Sequence, residues 1–104
     1  MGRLIYGSSN QSFDFDDRLL AHLRVVFMNK LRRRESFLFN TPPTDGLGTR
    51  ALWVAPAVPL VFHFYGGRTP SLNGAWIDAL MREAGSVNGL TVLDEPPRPG
   101  PRAA

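Results

Sequence analysis

Cysteine is absent from the 104 residues, lysine occurs once and histidine twice. Each scarcity excludes something. Without cysteine there is neither a disulfide framework nor a thiolate metal site. The two histidines, His22 and His63, have no His-x-His or His-Glu-x-x-His spacing, so a zinc centre has no support and no metal or cofactor is expected. No apolar run approaches the roughly 20 residues of a membrane span. The opening "MGRLIYGSSN" has no signal-peptide core, so a cytoplasmic protein without a membrane partner is the expectation. A glycine-rich phosphate loop, a Ser/His/Asp arrangement and a dinucleotide fingerprint are likewise missing.

What is present suits one small globular domain. Hydrophobic residues make up 43% and charged residues 20%, at a length that fills a single core. The formal charge is +3 and the pI about 10.2, which raises the question of nucleic acid. Eleven of the twelve basic residues are arginine, as a GC-rich coding bias also produces, and Arg98 and Arg102 fall in a proline-rich tail. The question therefore turns on local clustering.

Along the chain, "RLIY" (3–6) and "SFDF" (12–15) read as two strands joined by the turn formers "GSSNQ". "DDRLLAHLRVVFMNKLRRR" follows as a helix whose apolar stripe is Leu19, Leu20, Leu23, Val26, Phe27 and Leu31. Asp16 is its N-cap, and Phe15 with Leu20 form a hydrophobic staple. "SFLF" (36–39), "ALWV" (51–54) and "LVFHFY" (60–65) are strands, separated by the irregular "NTPPTDGLGT" and by "APAVP". Ser71 or Asn73 caps a second helix with Trp76, Ile77, Leu80, Met81 and Ala84 buried, stopped at Gly85. "LTVL" is the last strand. The order β-β-α-β-β-β-α-β predicts a two-layer α+β domain over residues 1–94: one mainly antiparallel sheet with both helices on one face. Residues 95–104, with four prolines, are expected to form a disordered tail.

The densest charge is "NKLRRRES". Lys30, Arg32, Arg33 and Arg34 fall in the last turn of the first helix, where cations complement the carbonyl end by about 0.3–1 kcal/mol each. The same four residues, with Arg68, are the candidate contacts for nucleic acid, and His63, Tyr65 and Trp53 on an open sheet face are a candidate stacking platform. His22 is expected on the solvent side of the first helix. Asp14, Asp16 and Asp17 suggest capping more simply than cation binding. Ala21, Val25 and Met28 form a second apolar strip on that helix, explained either by deep burial or by contact with a second copy or another protein.

The segments "GRLIYG", "DDRLLAHL", "KLRRRESF", "WVAPAVPLVFHF", "PSLNGAWIDALM" and "GLTVLDEP" resemble a family of short, uncharacterised actinobacterial proteins over about residues 2–96. Some members carry the name ATP-dependent DNA ligase. Such ligases use a lysine in a Lys-x-Asp-Gly motif to attack the α-phosphate of ATP. Here Lys30 is followed by Leu31, Arg32 and Arg33, and the Asp45–Gly46 pair is preceded two positions earlier by Pro43. The ligase name therefore finds no catalytic residue, and no enzyme is expected. The leading expectation is a non-enzymatic interaction domain, with a homodimer through Ala21, Val25 and Met28 as one form of it. The alternative is an accessory domain that binds nucleic acid.

Overall fold

A computed structural model describes residues 2–42 and 48–97. The middle of the proline-rich loop, with Asp45–Gly46, and tail residues 98–104 lie outside the described residues. The elements follow the order read above: β1 (Gly2–Tyr6), β2 (Gln11–Phe15), α1 (Asp17–Arg32), β3 (Phe37–Asn40), β4 (Ala51–Val54), β5 (Leu60–Phe64), α2 (Gly74–Ala84) and β6 (Leu90–Thr91).

Strand pairing corrects one expectation. The strands form two three-stranded sheets, β2-β1-β5 and β4-β3-β6, in place of one. The first is antiparallel throughout; in the second, β3 pairs antiparallel with β4 and parallel with β6. Alternation along each strand sends one set of side chains inward. Leu4 lies opposite both Phe13 and Phe62 in the first sheet, and Phe39 opposite both Leu52 and Leu90 in the second. The "APAVP" turn explains the division. It joins β4 to β5 without pairing them, and a hydrogen bond from Tyr6 Oη to the Trp53 carbonyl (2.6 Å) crosses from one sheet to the other.

The rings of both sheets meet on α1. Phe27 makes edge-on contacts with Phe37, Phe39 and Phe62 at 5.1–5.6 Å, and Phe15 faces Phe39 at 6.1 Å. Each such pair adds about 0.5–1.5 kcal/mol beyond the area it buries. Near its N-terminus α1 is deeply set: Leu20, Ala21, His22 and Leu23 are consecutive and all buried, while Arg24 is exposed. The caps are those the sequence suggests. Asp16 accepts from the Arg18 N–H, Asn73 from the Ala75 N–H, and Gly85 ends α2.

How β6 docks is decided by the lack of a side chain at Gly89. Its φ is +84°, and a Cβ would stand 2.5 Å from the Leu38 carbonyl oxygen. Any other residue would push β6 away from β3.

Candidate functional site

The C-terminal ends of the two helices meet over β3 and β4, and "NKLRRRES" closes that end of α1. The closure is made entirely by backbone. Arg34 N–H donates to the Leu31 carbonyl and Glu35 N–H to the Lys30 carbonyl, both at 2.9 Å. These are the two bonds of a Schellman cap, with Arg34 at the position glycine usually holds. Its φ is +60°, in the left-handed region that side chains disfavour. The Lys30 and Leu31 carbonyls are thus satisfied without any guanidinium group.

The four cations then divide into two kinds. Lys30 is mostly buried and its Nζ lies 2.9 Å from Glu35 Oε1. The hydrogen bond from Lys30 and its charge, with Arg33 adding a smaller contribution, hold the Glu35 carboxyl below the usual carboxylate range. Arg32, Arg33 and Arg34 are exposed, and their side chains form no hydrogen bond or ion pair among the described residues.

Beside them opens a cleft of about 470 Å³. Phe37, Leu38 and Ala84 supply its apolar lining, and the Lys30–Glu35 pair a polar wall. Trp53 and Val87 stand at its rim, 56% and 102% exposed. Val87 is presented on a fixed turn. Ser86 Oγ donates to the Glu83 carbonyl (2.7 Å), the Ser86 N–H also bonds it (3.0 Å), and the Gly89 N–H returns to the Ser86 carbonyl (3.1 Å). Chemically, the cleft offers shape, an aromatic side chain and the paired charges of Lys30 and Glu35, while Arg32, Arg33 and Arg34 lie outside its lining.

Other sequence candidates lie elsewhere. The Gly66 N–H donates to Asp17 Oδ2 at the start of α1, which puts Arg68, two residues further on, at the opposite end of that helix from Arg32–Arg34. Sixteen helical residues span about 24 Å. His63 and Tyr65 are exposed and stack at 4.3 Å on the outer face of the first sheet, whereas Trp53 belongs to the second. The aromatic platform is therefore split. Of the second strip on α1, Ala21 is buried within the chain, Val25 is half-buried and Met28 is exposed. Deep burial thus accounts for Ala21, leaving only Val25 and Met28 for a partner. The three aspartates serve separate local bonds: Asp14 with Arg3, Asp16 as N-cap, Asp17 with Gly66.

Sequence reasoning missed a polar network at the other end of α1. His22, expected in solvent, is fully buried. Its Nδ1 lies 2.7 Å from the Arg18 carbonyl, and its Nε2 is 2.8 Å from the Asn73 backbone nitrogen. Since an N–H must donate to Nε2, the ring is the neutral tautomer with its proton on Nδ1. It stacks on Trp76 at 4.5 Å, and Trp76 Nε1–H donates to the Leu93 carbonyl. Arg18 grips Glu95 through Nε (2.8 Å) and Nη2 (2.6 Å) and donates from Nη1 to the Ser71 carbonyl. Asn73 Nδ2 donates to Glu95 and to the Pro96 carbonyl, both at 3.0 Å. The Arg18 hydrogen bond and then that of Asn73 lower the Glu95 carboxyl to about 2. Residues 95 and 96, assigned above to a free tail, are thereby fastened to both helices. The signal for His22 was in the helical spacing: it lies only about 40° around the axis from Val26, on the flank of the stripe.

No curated protein and no solved structure matches the chain. A family model described as a domain of unknown function does match, over residues 1–95, a span that takes in both helix ends and reaches Glu95. Among the described residues no helix is long and apolar enough to cross a membrane. The chain belongs to the DUF7882 family of domains of unknown function.

Proposed function

We propose that the domain is a non-catalytic binding module that receives a protein partner in the cleft between the helix C-termini. One observation carries this reading: Trp53 and Val87 are large apolar side chains left exposed at a concavity of mixed polar and apolar lining, where their hydration is unfavourable. The cleft volume lies within the roughly 300–1,000 Å³ typical of binding pockets. A homodimer through Val25 and Met28 is a narrower form of the same reading, on the open side of the second half of α1. A cytoplasmic setting belongs to the proposal as well.

A second reading, an accessory domain for nucleic acid, draws on the three unpaired arginines and on the ligase name borne by similar short actinobacterial chains. Its weakness is geometric, since Arg68 and the His63–Tyr65 stack lie away from Arg32–Arg34. Affinity capture from the native host, with and without nuclease, separates the two. Specific proteins retained after nuclease and lost with Trp53→Thr/Val87→Ser support the binding module. Loss of all partners on nuclease treatment supports the second reading.

A further inference from the structure

We infer that two copies of the chain pair through β5, antiparallel about a two-fold axis at Phe62, so that the β2-β1-β5 sheets of both copies join into one.

Burial is the first ground. Of the six described strands, β5 alone has no buried residue. Leu60, Phe62 and Phe64 pack against the core, yet all three stay half-buried. On the outer face Val61 is 51% exposed, and Tyr65, just past the strand, 54%. A strand partly wet on both faces lies at an uncovered edge, and β5 ends its sheet.

The second ground is the backbone that this edge presents. The Gly7 N–H donates to the Pro59 carbonyl at 2.9 Å, continuing the register that sets Ile5 opposite Val61 and Arg3 opposite His63. Hydrogen-bonded pairs alternate along an antiparallel ladder, so Pro59, Val61 and His63 bond toward β1. Leu60, Phe62 and Phe64 therefore turn their N–H and C=O groups to the open edge, where none meets a backbone partner among the described residues.

The other edges are managed differently. On β4 the same alternation, begun by the Thr41 N–H to the Arg50 carbonyl, turns Trp53 outward, and Tyr6 Oη takes its carbonyl. β2 carries Asp14, paired with Arg3, and β6 has only two residues. Cover, charge and short length are what keep edges from pairing. β5, "LVFHF", has five residues and no Asp, Glu, Lys or Arg. Pro56 and Pro59 precede the three residues that would pair.

The third ground selects a second copy. A two-fold contact needs a strand that complements itself. About Phe62, Leu60 meets Phe64 of the second copy and Phe62 meets its own equivalent, each pair exchanging two backbone bonds. Half-buried apolar side chains then cover one another on the inner face, Val61 meets His63 on the outer, and no like charges are opposed. No residue of β5 lines the cleft between the helix C-termini, so this contact leaves the binding-module reading untouched.

Sedimentation and amide hydrogen exchange of the full chain, from low to high micromolar concentration, test the contact. The expected result is a monomer–dimer equilibrium in which the Leu60, Phe62 and Phe64 amides gain protection as concentration rises. The Val61 and His63 amides, bonded within the chain, should be protected throughout. Leu60→Pro removes an edge N–H that the monomer does not use, so it should still fold cooperatively and weaken the dimer at least about tenfold. A chain monomeric at every concentration would overturn the inference, as would a variant dimer as tight as wild type. So would a dimer in which those three amides exchange freely; its loss in Val25→Arg would place the contact on α1. Should Leu60→Pro fail to fold, the wild-type exchange pattern decides alone.

Discussion

The two ends of α1 are built on opposite principles. At its start, Arg18, His22, Asn73, Trp76 and Glu95 satisfy one another: the buried ring has both nitrogens bonded, the carboxylate accepts from two side chains, and the indole N–H reaches a carbonyl. At its end, three arginines are exposed, and a cleft lined by Lys30, Glu35, Trp53 and Val87 lies open. Buried polar groups are costly unless fully paired, so the first end can only be a stability device. Exposed apolar surface and unpaired charge do little for the isolated fold, and it is to the second end that the proposed binding reading assigns a partner. Burial, not residue type, separates the two: arginine and tryptophan occur at both.

The largest effect that would sharpen this contrast is expected at Trp76. Truncating a buried tryptophan to alanine typically costs about 3–5 kcal/mol, and here it also removes the stacking on His22 and the bond to Leu93. Trp76→Ala should unfold or severely weaken the domain in urea. A near-normal midpoint would mean that the paired end is not what holds the helices together.

Glu95 gives the next effect, and its sign follows from linkage. Its folded carboxyl titrates at about 2, below the ordinary value of 4.5, so its contribution is present above pH 4.5 and is lost as the pH falls from there toward 2. The side chain is partly open to solvent, so only the direction is claimed. Thermal melts from pH 6 to pH 2 should show a smaller acid loss for Glu95→Gln than for wild type. A chain ending at Asp94 should melt lower than one ending at Pro97; equal melting temperatures would show that the Arg18–Glu95 pair fastens nothing.

At the open end the expected effects are small or of opposite sign. Arg34→Gly relieves a positive φ, and should raise stability by up to about 1 kcal/mol by urea denaturation. A loss instead would show that the arginine side chain is structural. Smallest of all, Val25→Arg should leave the fold intact, because Val25 lies on the open side of α1. If Val25 and Met28 contact a second copy, sedimentation should show the wild type as a dimer and the variant as a monomer. A monomeric wild type at high micromolar concentration ends that form of the proposal.

Much of this contrast was readable one element at a time. Asp16, Gly85 and one of the two cap candidates, Asn73, marked the helix ends, and "SFLF" and "ALWV" were legible as strands, because capping and strand propensity are local. The paired end was not readable, since it joins residues far apart in the chain: Arg18 with Glu95, His22 with Asn73. A terminal segment with prolines resembles a tail until its carboxylate finds an arginine. The division into two sheets was hidden for the same reason, because β3 recruits β6 across half the sequence. At the open end the basic run was plain, yet its relation to Trp53 and Val87 arises only when the two helix C-termini converge.

On the proposed reading, the cleft end contributes little to the fold and is kept for a partner. The most direct test is the urea midpoint of a combined variant, Arg32→Gln/Arg33→Gln/Arg34→Gln with Trp53→Thr and Val87→Ser. Terminal charges are weak and screened, and exposed side chains change stability little, so the expected loss is at most about 2 kcal/mol with cooperative unfolding retained. A loss on the scale of Trp76→Ala, about 3–5 kcal/mol, would contradict this reading and make these residues part of the core structure.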